Sequence, residues 1–430
     1  MKKRKIMMIL GLLLVILFMV SCGKKAEENT TASVEQEETG TEAQEEGTTA
    51  TEESATAEKG EPSEEKPDSV TTDGMSRDIL ANMTLEEKVG QMFFFGMDSL
   101  RTDGKTKKTK KLSESMGEVL EEYQPGGIFL YSKNMKSGKQ TEKLIKDLQS
   151  HGKIPMLIGT EERGTKDSKI STLSGMKVKD KEEIAKLLSS LQETEVEKGA
   201  SMVASYMKEL GFHVNFLSGI GEETEEKDSQ EEAELSYEEQ TNWVQAFIRG
   251  TQKEGISTML FPFPEGFLRE GDTRKGSLDI EETISELRKK EFQVFEGAIS
   301  EKVDLITMGH ASFSLITENQ TPASLSKLMT TEILRKELRY DSIIITDSMN
   351  KKAITDVYSV SDAAVKAVQA GADMLFYPGA EGQEAYEAVL TAVKDGKIEE
   401  SQIEESVMRI LRVKIGQGLI TMDSELIEGN

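Results

Sequence analysis

The chain has 430 residues, a formal net charge of −25, one cysteine and three histidines. A single cysteine excludes an intramolecular disulfide, so the fold must be held together by its hydrophobic core. The acidic balance, without any cluster of basic and aromatic residues, argues against a nucleic-acid-binding protein.

The first 21 residues have the layout of a secretory signal peptide. Basic residues 2–5 precede an apolar run over 6–20, which is shorter than a membrane-spanning helix. Ser21 and Cys22 then complete a short stretch that resembles a bacterial lipobox. Because a lone cysteine in an exported protein has no disulfide partner, we expect Cys22 to carry a lipid that anchors the chain to the outer face of the bacterial cell membrane. The alternative is an ordinary signal peptide with an incidental cysteine.

Residues 22–73 form the next segment, which is rich in Glu, Thr, Ala, Ser and Gly and nearly free of large apolar side chains. Such a composition cannot bury enough apolar surface to offset the entropy of the chain. We therefore predict a disordered acidic tether over 22–73, and a folded part that extends from residue 74 to residue 430.

Strand-like and helical patterns alternate after the tether. Thr84, followed three residues later by Glu87, is typical of a capping box and opens a predicted helix over 83–92. Helical periodicity returns at 141–149, 181–210, 237–254, 284–299, 326–338, 362–370 and 403–415. Short apolar runs predict strands at 93–96, 127–131, 155–159, 213–216, 256–261, 304–308, 342–346 and 373–377.

This alternation decides the predicted fold class. Strands separated by amphipathic helices pair in parallel through right-handed crossovers. Eight such units in about 350 residues predict one α/β domain, a (β/α)8 TIM-like barrel. The alternative is an open doubly wound sheet, but no glycine-rich phosphate loop follows the first strand, which weakens a nucleotide-binding version of that fold.

Asp347 follows the seventh predicted strand directly. The run Ile343–Ile345 before it is apolar on both faces, as expected for a parallel strand. In a (β/α) barrel the carboxyl ends of the strands hold the active site, so Asp347 is a candidate catalytic carboxylate. An aspartate after a strand is also a good helix N-cap, and position alone does not separate the two roles.

Several sequence blocks occur in the order typical of one enzyme family, at 83–92, 126–130, 322–326, 346–348, 370–375 and 406–414. With these blocks the chain resembles glycoside hydrolase family 3, in particular its β-N-acetylglucosaminidase branch. The resemblance implies a TIM-like barrel and makes Asp347 the catalytic nucleophile. It also implies a glycan ligand contacted by Glu161 and His310, with no metal and no cofactor, and we expect a monomer. His310 has an alternative role, as a structural histidine bonded to a neighbouring loop.

The resemblance breaks down at the general acid, which a retaining glycosidase needs besides its nucleophile. The resemblance implies that this general acid is an Asp-x-His pair on the loop after the fifth strand. Gly276 and Leu278 stand at these two positions, and none of the three histidines lies on this loop. Lys351 also stands where the family usually has a methionine, and its charge should lower both the pKa and the nucleophilicity of Asp347.

These observations leave two main functional hypotheses. The first is a surface-anchored glycosidase that hydrolyses β-linked N-acetylglucosaminides of wall-derived glycans, with impaired activity. The second is a catalytically inactive barrel that binds glycan or a protein partner. A third, the solute-binding lipoprotein of a transporter, would need two lobes and a hinge, which eight successive βα units do not suggest.

Overall fold

The computed structural model describes residues 71–101, 108–162, 169–174, 193–217, 236–266 and 272–421. The predicted signal peptide, Cys22 and nearly all of the predicted tether lie outside these residues. Within the described ranges, no helix combines the length and the apolar character needed to cross a membrane.

Eight parallel strands form one sheet that closes on itself. The strands are β1 (Phe93–Gly96), β2 (Gly127–Phe129), β3 (Leu157–Thr160), β4 (Val214–Phe216), β5 (Ser257–Phe263), β6 (Leu305–Met308), β7 (Ile343–Thr346) and β8 (Leu375–Tyr377). Their order in the sheet is β7-β6-β5-β4-β3-β2-β1-β8. A parallel bridge between Ile345 and Met374 joins β7 to β8, and the Thr346 N–H donates to the Met374 carbonyl at 3.0 Å. This confirms the predicted (β/α)8 TIM-like barrel, and each predicted strand overlaps an observed one.

Helices surround the sheet and alternate with the strands along the chain. Thr84 and Glu87 form the predicted capping box at the start of Leu85–Gln91. Ser236 and Glu239 form another capping box, at the start of Tyr237–Lys253. The α-helices are Thr72–Ala81, Leu85–Gln91, Glu114–Tyr123, Gly138–Gln149, Lys169–Ser174, Glu193–Glu209, Tyr237–Lys253, Ile284–Arg288, Glu291–Ser300, Lys352–Thr355, Val360–Ala370, Glu381–Lys394 and Glu400–Gly416.

The helical predictions differ from the structure in several places. Four observed helices match no predicted one, Glu114–Tyr123, Lys169–Ser174, Lys352–Thr355 and Glu381–Lys394. Helix Thr72–Ala81 was not predicted either, and its first two residues fall in the segment assigned to the tether. The predicted helix 284–299 is interrupted, because Lys290 has a non-helical backbone with φ −129° and ψ −99°. The segment Leu328–Glu337 is a π-helix rather than an α-helix. The first half of the predicted helix 181–210 lies outside the described residues.

The barrel interior is filled by side chains and is not a channel. Phe129, Phe216 and Phe376 form a triangle with ring centroids 4.6–5.7 Å apart, and Phe94 packs below them. Gly159 makes room for this cluster, since a Cβ at that position would lie 2.6 Å from the Phe216 ring. Ile410 and Val413 of the last helix belong to the same cluster and close the end of the barrel at which the strands begin. Among the described residues the interior offers no room for a ligand, so we look for the site at the loops that follow the strands.

Candidate active site

Asp347 lies at the carboxyl end of β7, where the loops of the barrel converge. Its N–H donates to the Met308 carbonyl of the neighbouring strand at 2.8 Å. The first helix after β7 begins at Lys352 and has Lys351 at its N-cap position. The Asp347 side chain instead accepts hydrogen bonds from Ser348 N–H at 2.6 Å and from Lys351 Nζ at 2.7 Å. Asp347 therefore does not cap the following helix. Its carboxylate lies at the mouth of the barrel, which is the end formed by the carboxyl ends of the strands and the segments that follow them.

The electrostatics of Asp347 are set by this partly enclosed position. The Asp347 side chain is 15% exposed and that of Lys351 is 10% exposed. Burial by itself would raise the pKa of Asp347, but the nearby charge and hydrogen bond of Lys351 and the N–H of Ser348 outweigh it and hold the pKa below its ordinary value. The carboxylate is thus ionised at neutral pH, as the sequence argument about Lys351 predicts.

His310 is buried beside the Asp347 loop, with 1% of its surface exposed. Nδ1 lies 2.8 Å from Ser324 Oγ, and Nε2 lies 3.1 Å from the Ser348 carbonyl. Burial lowers the pKa of His310 to about 4, so the ring is neutral at pH 7. Since the carbonyl can only accept, we assign the proton to Nε2, and Nδ1 accepts from the Ser324 hydroxyl. Both nitrogens hold loops of the protein, and contact with substrate stays a prediction.

Glu161 follows β3 and belongs to the same mouth as Asp347. Burial raises the pKa of Tyr131 far above its ordinary value, and the charges of Asp98, Glu161, Asp347 and Glu381 raise it further. Four carboxylates that follow β1, β3, β7 and β8 therefore act on one phenol, which keeps its proton. Glu161 and Asp347 thus lie close enough to act on the same phenol, while the contact of Glu161 with a glycan stays a prediction.

The sequence did not predict three residues of this site, Asp98, Tyr131 and Glu381, or the neighbouring Lys133. Lys133 Nζ lies 2.7 Å from Asp98 Oδ2 and 5.2 Å from the centre of the Tyr131 ring. Asp98, Tyr131 and Glu381 each lie within four residues of the end of a strand. Charged and aromatic residues at or just after the carboxyl ends of predicted strands are the signal that could have identified them.

Comparison with known proteins shows the family of this chain. The sequence profile of the "Glycosyl hydrolase family 3 N terminal domain" matches residues 84–413. The chain belongs to glycosyl hydrolase family 3.

Relatives of this family 3 chain include several proteins named as hexosaminidases. "Beta-hexosaminidase A" of Pseudoalteromonas piscicida is 21% identical over 330 residues, which is 70% of this chain and 55% of the relative. "Beta-hexosaminidase" of Haemophilus influenzae is 25% identical over 272 residues, which is 62% of this chain and 76% of the relative. The chain thus spans only about half of the length of the Pseudoalteromonas protein.

Solved structures share the barrel. The family 3 β-N-acetylglucosaminidase of Paenibacillus sp. str. FPU-7 superposes with a TM-score of 0.66 at 25% identity, over 80% of this chain and 68% of that chain. CbsA of Thermotoga neapolitana gives a TM-score of 0.63 at 18% identity, over 79% of this chain and 72% of that chain, a likeness of fold alone.

In this family 3 chain, the loop after β5 carries no ionisable side chain at the two positions of the general acid. Gly276 has φ +144°, with open space around it, and the Leu278 carbonyl accepts from Ser312 N–H at 2.8 Å. Asp272 lies nearby, but Arg274 binds it through Nε at 2.9 Å, and this hydrogen bond lowers the pKa of Asp272. An ionised carboxylate held by a guanidinium cannot serve as a proton donor at neutral pH.

Glu265 lies on the same loop and is buried, with 8% of its surface exposed. Its Oε1 accepts a hydrogen bond from Ala311 N–H, which joins the loop after β5 to the loop after β6. A Cβ at Gly309 would overlap the Glu265 carboxylate, so only glycine fits at that position.

Among the described residues, no group of three His, Cys, Asp or Glu side chains is arranged to hold a metal ion.

Proposed function

We propose that this chain is a glycoside hydrolase of the β-N-acetylhexosaminidase type, which cleaves β-linked N-acetylglucosaminides with Asp347 as the nucleophile and with impaired acid assistance. The observation that carries the proposal is the ionised Asp347 carboxylate at the carboxyl end of β7. Family membership supports the same role, because a retaining glycosidase needs a carboxylate that attacks the anomeric carbon.

Backbone contacts hold this nucleophile in place. The Asp347 N–H is bonded to the Met308 carbonyl, and His310 Nε2 donates to the Ser348 carbonyl one residue further on. A carboxylate fixed by such bonds loses little conformational freedom when it attacks. The loop after β7 therefore suits the first step of the reaction, the formation of a glycosyl ester.

Proton donation to the leaving group is the impaired part of this reaction. A positioned general acid contributes roughly 10²–10⁴-fold in rate. With Gly276 and Leu278 at the family's acid positions, a sugar alkoxide must leave with little help, whereas an acidic phenol leaves largely without it. We therefore expect slow cleavage of activated aryl glycosides and failure on natural disaccharides.

A series of aryl N-acetyl-β-glucosaminides with leaving phenols of increasing acidity tests the proposal. Hydrolysis should rise steeply with phenol acidity, and N,N′-diacetylchitobiose should remain uncleaved. Asp347→Asn should abolish the aryl activity, because an amide cannot form the ester. Asp356→Asn is a matched control: its side chain is 46% exposed and paired with Lys352, so its loss should leave the rate unchanged. Azide should accelerate turnover, because it attacks the ester without a general base.

Two results would contradict this proposal. Brisk hydrolysis of the natural disaccharide would mean that another group supplies the proton. Full activity of Asp347→Asn towards the aryl glycosides would remove Asp347 as the nucleophile.

A second candidate function is favoured by the same loop. Because Gly276 and Leu278 replace both family acid positions, a barrel that binds glycan or a protein partner without cleaving it also fits. Complete inertness towards every aryl glycoside, together with measurable binding of N-acetylglucosamine oligomers, would support this binding function.

We also propose that the chain is an exported lipoprotein. The support is the sequence alone, in the basic residues 2–5, the apolar run 6–20 and Cys22 at the lipobox-like position.

A further inference from the structure

Both oxygens of Asp347 are bound by residues of its own loop. Oδ1 accepts from Ser348 N–H at 2.6 Å, and Oδ2 accepts from the Lys351 ammonium at 2.7 Å. With side chains only 15% and 10% exposed, Asp347 and Lys351 form an ion pair that water screens weakly. The nucleophile of the proposed reaction is therefore already engaged by a cation in the free protein.

The backbone that carries Lys351 is fixed from several sides. Lys351 N–H donates to the Ser348 carbonyl at 3.1 Å, and Met349 N–H donates to the Phe376 carbonyl of β8 at 3.0 Å. Ala353 N–H donates to the Thr273 carbonyl of the loop after β5 at 2.9 Å. The ammonium is thus presented to Asp347 from a rigid turn, unlike a surface lysine on a mobile segment.

We propose that Lys351 is a positioning residue that holds Asp347 in a blocked state and slows formation of the glycosyl ester. The inference rests on the proposed function, since it requires Asp347 to be the attacking group. It assigns to a single side chain a second cause of slow ester formation, separate from the missing acid.

The chemistry of the first step gives the reason. One Asp347 oxygen forms a bond to the anomeric carbon while the bond from that carbon to the leaving oxygen breaks, and its electron pair departs with the phenolate. The negative charge of Asp347 is consumed in the neutral ester, and positive charge develops on the sugar. Lys351 stabilises the ionised carboxylate but not the ester, and it repels the developing positive charge. Both effects favour the ground state over the transition state and so raise the barrier.

The size of the effect follows from the kind of bond that is lost. A hydrogen bond to a charged group, weakened in the transition state, corresponds to about a 10- to 100-fold lower rate. Methionine, which the family usually has at this position, is apolar and unbranched like the lysine stem, so Lys351→Met removes the charge with little change in packing.

The burst of phenol released from 2,4-dinitrophenyl N-acetyl-β-glucosaminide measures this step directly. Lys351→Met should raise the burst rate at least about tenfold. Lys351→Arg should keep the wild-type rate, because a guanidinium also pairs with the carboxylate. Lys352→Met is the matched control on the next residue, whose side chain is 54% exposed and paired with Asp356, and it should leave the burst unchanged.

Three outcomes are distinct. A faster burst in Lys351→Met alone supports the inference. A burst rate in Lys351→Met equal to or below that of the wild type, with the melting temperature unchanged and Asp347→Asn inactive, overturns it and leaves the proposed function intact. No burst and no covalently labelled Asp347 in any variant removes the proposed function and the inference with it.

Discussion

Lys414 is a fully buried cation at the amino-terminal end of the barrel. Its ammonium donates to Gln91 Oε1 at 2.5 Å, just before the start of β1. Burial lowers the pKa of Lys414 to about 7 from 10.5. Burial also lowers the pKa of the neighbouring His213 to about 4, with a contribution from the charge of Lys414. A buried lysine with an amide partner costs stability whenever it is charged.

The low pKa of Lys414 makes the stability of the folded protein depend on pH. Because the folded pKa of Lys414 lies below the unfolded value, the unfolded chain binds more protons between pH 7 and 10.5. The contribution of Lys414 to stability therefore increases with pH over this interval and is smallest below pH 7.

Lys414→Met should remove this dependence. Above about pH 8, the free energy of unfolding of the wild type relative to Lys414→Met should rise by about 1.4 kcal/mol per pH unit, with a shallower rise near pH 7. Urea denaturation at several pH values measures the difference. Loss of the hydrogen bond from Lys414 to Gln91 should change the free energy of unfolding of the variant by the same amount at every pH. Lys336→Met, whose side chain is 61% exposed, should run parallel to the wild type, and a Lys414→Met curve parallel to both would contradict the prediction.

Helix Thr72–Ala81 is an element that the sequence did not predict, and it begins inside the segment assigned to the tether. Thr71 Oγ1 caps it by accepting from Gly74 N–H at 3.1 Å, and Met75 and Ile79 are buried. Asp73 is bound by Arg412 Nε of the last helix at 2.8 Å. Its pattern contains a glycine and few apolar residues, so the helix depends on packing against the last helix rather than on its own propensity.

Two shortened chains separate this helix from the segment before it. A chain that begins at Thr71 should melt at the same temperature as the mature chain that begins at Cys22. A chain that begins at Asn82 loses the burial of Met75 and Ile79, worth roughly 1.5–3 kcal/mol each. Its melting temperature, measured by calorimetry, should fall by at least about 5 °C. Equal melting of all three would show that the helix contributes nothing, and a loss already at Thr71 would show that earlier residues pack on the barrel.

At the scale of the whole molecule, the two ends of the described chain meet below the barrel. The last helix closes the interior with Ile410 and Val413, and Arg412 joins Asp73 to this helix. Lys88 adds contacts at 2.9 Å to Glu400 and 2.6 Å to Glu404. The chain therefore enters the barrel on the side opposite to Asp347.

The proposed anchor has a direct test. Cys22→Ala should release the protein into the medium or leave it unprocessed, because no thiol remains to receive the lipid. Fractionation of cells, followed by electrophoresis, detects both results. Ser21→Ala keeps the thiol and serves as the control. If Cys22→Ala stays bound to cells with the mobility of the wild type, the lipid assignment is wrong.

The sequence by itself determined the barrel and the position of Asp347. Each strand is a short apolar run buried on both faces, so its signal is contained in neighbouring residues. Asp347 directly follows such a run, and Lys351 is four residues further along the same turn, so their pairing was also a local property.

Only the tertiary structure decided what surrounds Asp347. Asp98, Glu161 and Glu381 follow three different strands, and closure of the sheet is what places their charges around Tyr131. The hydrogen bonds of His310 to Ser324 and Ser348 join two loops and are invisible in either loop alone. Helix Thr72–Ala81 likewise depends on a helix more than 300 residues away. These features arise from contacts through space, and a linear pattern carries no record of which distant residues will meet.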